Sequence, residues 1–192
     1  MAEPAAEIDP ALGRFLDGVR ATLKGRLPAL KQCELHGGRF DASELKRLSA
    51  AAPAIYLSVM AAPSQTLLFK EQGGEGRQRL TTQLTAFVVA KDAPGLPRDR
   101  AVLNLVEALL LMLPRNLWGL AGECGFPDKI SAQNLYSGTL DRARVALWGV
   151  SWQQPVFLGQ AMESEWVIPT ELYSGIEPET GTVHKDDYER LL

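Results

Sequence analysis

Two short patterns in the chain contain residue types that could hold a metal ion. Cys33-x-x-His36 has a spacing found in metal sites, but a closed zinc site needs four ligands and no second pair lies nearby in sequence. The other histidine, His184, stands beside Asp186 and Asp187 in a cluster that could bind a cation weakly. Polar positions at a strand end explain the first pattern better, and exposed charge in a C-terminal extension explains the second. We therefore predict no metal and no cofactor.

Groups for covalent or phosphate chemistry follow no recognisable pattern. The segment GGEG at 73–76 lacks the Lys-Ser/Thr ending and the following helix of a phosphate-binding loop, so it predicts a turn. No Gly-x-Ser-x-Gly elbow occurs, and two histidines leave few partners for a serine or cysteine nucleophile. The sequence predicts no catalytic residue. An enzyme whose site has no recognisable motif is the alternative.

Length and composition bound the class of protein. The chain has 192 residues, of which 46% are hydrophobic, and a net charge of −3, which suits one sizeable core with extensions. Cys33 and Cys124 are too few for a disulfide framework, and the opening MAEPAAEID is unlike a leader, so a cytosolic origin is expected. The longest apolar run, 101–113, is shorter than the ~20 residues that a bilayer span needs. We expect no membrane partner.

Charge is divided unevenly along the chain. From residue 161 onward eight acidic residues stand against Lys185 and Arg190, a balance of −6, so the first 160 residues carry +3. We predict one domain over 1–160 and an extended acidic C-terminal arm over 161–192. The arm is either a solvated tail or a segment that binds the body of its own or a neighbouring copy, because opposite potentials guide encounter and register. Without a basic cluster or a basic stripe interleaved with aromatics, nucleic acid is not an expected partner.

The first half of the chain predicts two helices and a strand. Asp9-Pro10 is a good helix start, and apolar residues then recur at helical spacing, so an amphipathic helix is expected to end near Pro28. A capping-box pattern, DASE, predicts a short helix over 43–51. A first core strand is expected over 55–61.

The middle of the chain predicts a β-hairpin followed by a long helix. TLLFKE at 66–71 and RQRLTTQLTAFVVAK at 77–91 flank a glycine-rich turn and suit antiparallel strands. In the second arm, even-numbered residues from Leu80 to Val88 fall on one face and odd-numbered residues on the other. Residues 98–113 predict a helix that is apolar nearly all round and therefore packed on more than one side.

The longest alternation of side-chain character runs over 143–158. Even positions, with Trp148 and Trp152, carry mostly bulky side chains and form what we call the heavy face. Odd positions carry mostly smaller side chains and form the light face. We predict a strand over 143–157 paired with one over 129–139, and both tryptophans in the core against the helices. Together the elements predict an α+β fold: a small, mainly antiparallel or mixed sheet packed against two to three helices.

Aromatic residues in the arm favour docking. Trp166 lies in the segment EWVIP, and Tyr173 and Tyr188 repeat the pattern of an apolar group on an extension. Such groups need a surface that buries them, in the same body or in another subunit. The arm is therefore expected to dock.

Two segments resemble a known family. They are QNLYSGTLDRARVALWGVSWQQPVFLG at 133–159 and IPTELYSGIEPETGTVHKDDYERLL at 168–192. With the order of elements, from an amphipathic first helix to a Trp-containing strand and a tail, they are similar to the Mu-like phage and prophage tail terminator, or tail completion, proteins. The resemblance runs over most of the chain and rests on pattern and order rather than a fixed motif.

The resemblance implies a structural function. Tail terminators have an α+β fold, form a hexameric ring on the completed tail tube, stop its polymerisation and offer a surface for joining to the head; they are not enzymes. The implied partners are copies of this chain, the tail tube protein and head–tail joining proteins. The implied locations are the host bacterial cytoplasm during assembly and the virion tail. Another small tail or neck protein, such as a head–tail connector component, is the alternative within this class.

Candidate subunit or tube contacts lie around the hairpin tip and in the arm. They are Lys70, Glu71, Glu75, Arg77, Arg79, Trp166, Tyr173 and Tyr188. The hairpin charges have an alternative explanation, since charged side chains also keep a protruding loop in solution.

Overall fold

The first helix, α1, covers Ala11–Arg26 and buries one stripe of side chains. Ala11, Phe15, Val19 and Leu23 recur every four residues and are buried, so the predicted amphipathic helix is confirmed. The structure is a computed structural model that describes residues 10–38, 49–66, 77–159, 173–174 and 189–190.

Six strands form one mixed sheet. They are β1 (Gln32–Leu35), β2 (Ala54–Ala61), β3 (Ser64–Thr66), β4 (Gln78–Lys91), β5 (Asp128–Asn134) and β6 (Val145–Leu158). Their order is β1-β2-β4-β6-β5, and β3 pairs with β4. Only β1 and β2 are parallel among these pairs. The predicted α+β class is confirmed.

The two longest strands determine how the rest of the chain packs. β4 and β6 pair antiparallel along their whole length, from Gln78 opposite Leu158 to Lys91 opposite Val145. Their even-numbered residues enter the main core with α1, as the alternation predicts. The residues they contribute are Leu84, Ala86, Val88, Ala90, Ala146, Val150, Trp152 and Val156.

The light face has a core of its own at one end. Phe87, Val89, Val145 and Leu147 are buried there with Tyr56. The sequence indicated a light face but not this second cluster, because its members come from separate strands.

The long helix, α2, covers Arg98–Met112 and packs on one side. Val102, Leu105, Val106 and Leu109 are its buried residues. Leu111 is 76% exposed, so the prediction that the helix packs on more than one side is wrong within the described part of the chain. A helix lying on one face of a sheet can bury only the stripe that faces the sheet.

A short helix, α3 (Gly138–Arg142), separates β5 from β6. The predicted strand over 129–139 is therefore wrong at its end, where β5 stops at Asn134. The Ser137 carbonyl accepts a hydrogen bond from the Asp141 N–H at 3.1 Å, and the Ser137 hydroxyl oxygen accepts one from the Leu140 N–H at 3.4 Å. These local bonds favour a helical turn over further strand.

Parts of two predicted elements lie outside the described residues. Residues 43–48 of the predicted short helix are not described, and Ser49 is helical. The hairpin is confirmed where it is described, since Thr66 of β3 pairs with Gln78 of β4. Its remaining first arm and tip, 67–76, lie outside the description.

The chain divides into two units, Met1–Met162 and Glu163–Leu192. In the second unit, β7 (Tyr173–Ser174) pairs antiparallel with β8 (Glu189–Arg190). Among the described helices, none has both the length and the apolar character required to cross a bilayer.

Candidate functional site

Arg77 holds the base of the hairpin against the body. Its Nη1 donates to the carbonyl of Gly122 at 2.8 Å, and its guanidinium carbon lies 4.8 Å from the ring centroid of Phe157. A cation over an aromatic face contributes about 0.5–1 kcal/mol at exposed sites. In the structure Arg77 anchors its own hairpin, and its contact to another subunit or to the tube stays a prediction.

The loop that accepts the Arg77 bond, residues 113–127, is called the bracing loop. It follows the side of β6: the Gly125 N–H donates to the Pro155 carbonyl at 2.9 Å, and the Phe157 N–H donates to the Glu123 carbonyl at 2.9 Å. These bonds make part of the loop behave as a further strand beside β6. The loop thus connects the hairpin base to the sheet.

A buried glutamine ties the bracing loop to the core. Gln154 has 0% exposure, and its Oε1 accepts bonds from the indole N–H groups of Trp118 at 2.8 Å and Trp152 at 3.2 Å. Its Nε2 donates to the carbonyls of Asn116 at 3.1 Å and Gly125 at 2.8 Å. An amide has two donor hydrogens and two acceptor lone pairs, so this side chain is saturated. Gln154 therefore has a structural role.

Between the second cluster and Arg79, the light face is neutral, polar and half-buried. We call this area the polar half-face; it comprises Thr81, Gln83 and Thr85 of β4 with Ser151 and Gln153 of β6. Gln83 stands opposite Gln153 and Thr85 opposite Ser151, whose hydroxyl oxygens are 2.9 Å apart. Amides and hydroxyls both donate and accept hydrogen bonds. Such a surface can bind another polypeptide without charge.

A hollow of about 180 Å³ opens on the polar half-face, with Met60 and Lys129 at its border. Pockets for whole small molecules usually measure about 300–1,000 Å³. The hollow is therefore of a size to receive a side chain.

A second hollow, of about 250 Å³, lies where α2 begins. Trp148 and Tyr136 contribute to its lining, and Arg98 forms an ion pair there with Asp141. Trp148 is half-buried and packs partly against the main core, whereas Trp152 is 2% exposed. The prediction that both tryptophans are core residues is confirmed fully for Trp152 and partly for Trp148.

Arg79 lies opposite Phe157 in the paired strands. Its side chain is half-buried, and its buried Nε has no hydrogen-bond partner in the described part of the chain. Of the predicted hairpin contacts, Arg79 is the one whose described surroundings leave a donor unused.

The other predicted contacts lie largely outside the described residues. Tyr173 is in β7, where its backbone pairs with Arg190. The remaining positions, Lys70, Glu71, Glu75, Trp166 and Tyr188, are not described.

The two residues of the Cys-x-x-His pattern pack against different parts of the structure. Cys33 is buried in the main core, and this burial raises its pKa to about 11. His36 instead packs edge-on against Tyr56, with ring centroids 6.0 Å apart, and Tyr56 belongs to the second cluster. No group of three or more potential metal ligands occurs in the described part of the chain.

Cys124, the other thiol, lies in the bracing loop. Burial raises its pKa to about 11, and the nearby Glu123 carboxylate acts in the same direction. A thiol with a raised pKa is a weak nucleophile at neutral pH.

The sequence holds one signal for the bracing contacts, although no motif marks it. Gln154 is the single amide on the heavy face of 143–158, and a polar group at a core position has to find buried partners. No protein-family model matches the chain, and comparison with curated proteins finds no significant relative.

Proposed function

We propose that this chain is a structural assembly protein, which binds copies of itself and a protein polymer. More particularly, we propose that it is a phage or prophage tail terminator. It forms a ring on the end of the tail tube and stops its polymerisation. The α+β fold supports this proposal, as do the segments 133–159 and 168–192 that resemble the family.

The arrangement at one end of the β4–β6 pair is the observation that carries the proposal. There the sheet extends past the second cluster and presents the polar half-face beside a hairpin base fixed by Arg77. A neutral polar surface backed by a packed core can bind a protein polymer with little rearrangement. The tail tube protein is the proposed partner for this end of the sheet.

The ring is built from copies of this chain. A head-to-tail contact repeated around an axis closes into a ring when the rotation permits it. We propose a hexamer on the tube, which also offers a surface to head–tail joining proteins. The protein would act in the host bacterial cytoplasm during assembly and remain in the virion tail.

Growing tail tubes provide the direct test. Purified protein added to polymerising tube subunits is expected to shorten the tubes and to place a ring of density at one end, as measured by electron microscopy. A Gln83→Arg/Gln153→Arg variant puts two like charges into the polar half-face and is expected to cap poorly while staying folded, because both positions are half-buried at the surface. Unchanged tube length and bare ends with the wild-type protein would reject the terminator proposal.

Removal of the acidic segment 161–192 is expected to leave a folded first unit that self-associates about tenfold more weakly at low salt. The described members of both buried clusters lie in the first unit, whereas the segment carries a charge of −6. Light scattering measures assembly size, and circular dichroism measures folding. A full-length Glu163→Gln/Glu165→Gln/Glu171→Gln variant isolates the contribution of charge. Equal assembly size for the truncated and intact proteins would contradict a docking arm.

A further inference from the structure

The outer strand β5 has a backbone edge that faces away from the sheet. The Leu135 N–H donates to the Leu147 carbonyl of β6 at 3.0 Å, so the polar groups of Leu135 point toward β6. Because these directions alternate along an antiparallel strand, the N–H and C=O groups of Ala132 and Asn134 point away from β6. Among the described strands, β6 is the one that pairs with β5.

Apolar side chains are exposed at both outer strands. Phe126, just before β5, is 57% exposed, and Tyr136, just after it, is 67% exposed. Leu35, the last residue of β1 at the other end of the sheet, is 48% exposed. Exposed edges of this kind are templates for strand addition.

The two outer strands are complementary in direction and length. β1 is parallel to β2, and three antiparallel steps then lead to β5, so β1 and β5 run in opposite directions. The regular part of β5, Ser131–Asn134, has four residues, as does β1. Copies placed side by side would therefore meet as an antiparallel pair of equal length.

Charge and backbone shape favour the same pairing. Antiparallel addition brings the exposed Lys129 end of β5 toward the exposed Glu34 end of β1. The pairing of β5 with β6 shifts register between Asp128 and Ser131, and Lys129 has a φ of 50°. Such a bulge ends regular pairing and limits the edge to a short segment.

We propose that β5 of one copy adds to β1 of the next, so that the sheet continues across the subunit contact. The contact is heterologous, since two different edges meet, and it can therefore close into a ring. This inference rests on the proposed function, for which it specifies the surface between copies. Its occupant is a second copy of this chain.

An Ala132→Pro variant tests the edge. Proline removes the N–H that points away from β6 and leaves the β5–β6 bonds in place; Ala132→Val, which keeps that N–H, is the control. We expect self-association of the proline variant to be at least about tenfold weaker than that of the wild type. The valine variant should self-associate like the wild type. Analytical ultracentrifugation measures both. Circular dichroism checks the fold of each variant.

A charge exchange tests the same contact without proline. Glu34→Lys and Lys129→Glu each place like charges at the proposed contact, so each variant alone is expected to assemble poorly. An equal mixture restores opposite charges at every contact and is expected to regain the assembly size of the wild type. Failure of the mixture to regain that size, or wild-type assembly by a folded Ala132→Pro variant, would overturn the inference.

Tube capping separates this inference from the proposed function. Wild-type protein that caps tubes while Ala132→Pro assembles normally would reject the edge contact and leave the terminator function standing. If the edge variants behave as expected but the wild-type protein does not bind tube ends, the terminator function is rejected and the edge contact stands.

Discussion

Gln154→Leu is expected to lower the free energy of unfolding by about 4 kcal/mol. Leucine fills a similar volume but leaves two indole N–H groups and two backbone carbonyls without their partner. Each buried group left unsatisfied costs about 1–3 kcal/mol before the surroundings relax. Urea unfolding followed by circular dichroism gives the free energy, and the midpoint should fall without a change in slope.

Gln153→Leu is the matched control for this substitution. Gln153 is the next residue along β6, lies on the opposite face and is half-buried, so its replacement should change stability by about 0.5 kcal/mol or less. A loss below about 1 kcal/mol for Gln154→Leu would show that the amide contributes little to holding the loop. Hydrogen exchange should rise most in the bracing loop, because that is the segment the amide ties down.

An effect on the proposed capping is expected from how the hairpin base is held. Arg77 donates to Gly122 in the bracing loop, and Gln154 holds the same loop at Asn116 and Gly125. A loop freed from Gln154 can no longer fix the Arg77 contact. The core amide therefore acts on the proposed tube-binding end through the loop and not by touching the tube.

The sequence predicted the main strands because their information is local. The alternation in 77–91 and in 143–158 places apolar residues such as Leu84 and Val150 on one face, and the structure buries both there. Side chains in a strand alternate whatever the neighbouring strand is. The fold class followed from these strands and from the periodicity of α1.

The parts that the sequence did not predict depend on distant partners. Gln154 contacts Trp118, which is 36 positions away, and no period or motif links the two. The helical turn of α3 depends on two hydrogen bonds that Ser137 accepts, which compete with strand pairing over a few residues. The sequence marks Arg77 as a charge beside the hairpin turn, but its contact with Gly122 spans 45 positions. Loop-to-strand contacts of this range have no signature in a single sequence.

The candidate surfaces likewise depend on partners that are distant in the sequence. An outer strand can be named only once the sheet order is known, and that order places β5 at one end and β1 at the other. The polar half-face likewise needs β4 and β6 to pair in register, with Gln83 opposite Gln153. Either strand alone shows only a few polar residues at alternate positions.

Gly125→Ala is expected to lower the free energy of unfolding by about 2 kcal/mol. A Cβ atom at this position would lie 2.6 Å from Cγ and 3.5 Å from Cδ of Pro155, whose ring cannot rotate away. The loop must then move off β6, which strains the bond from the Gly125 N–H to the Pro155 carbonyl, 2.9 Å long. The bond from Gln154 to the Gly125 carbonyl is strained with it.

Gly138→Ala is the control for this prediction. In the part of the chain that the structure describes, no heavy atom lies within 4 Å of a Cβ built on Gly138. The residue belongs to α3, so alanine should leave stability unchanged or raise it by up to about 1 kcal/mol. Thermal and urea unfolding of both variants provide the comparison. If Gly125→Ala were as stable as Gly138→Ala, the close approach of the bracing loop to Pro155 would not hold in solution. The support that Gln154 gives the hairpin base through Gly125 would then fail as well, and its contacts with Asn116 and Trp118 would be left to hold the loop.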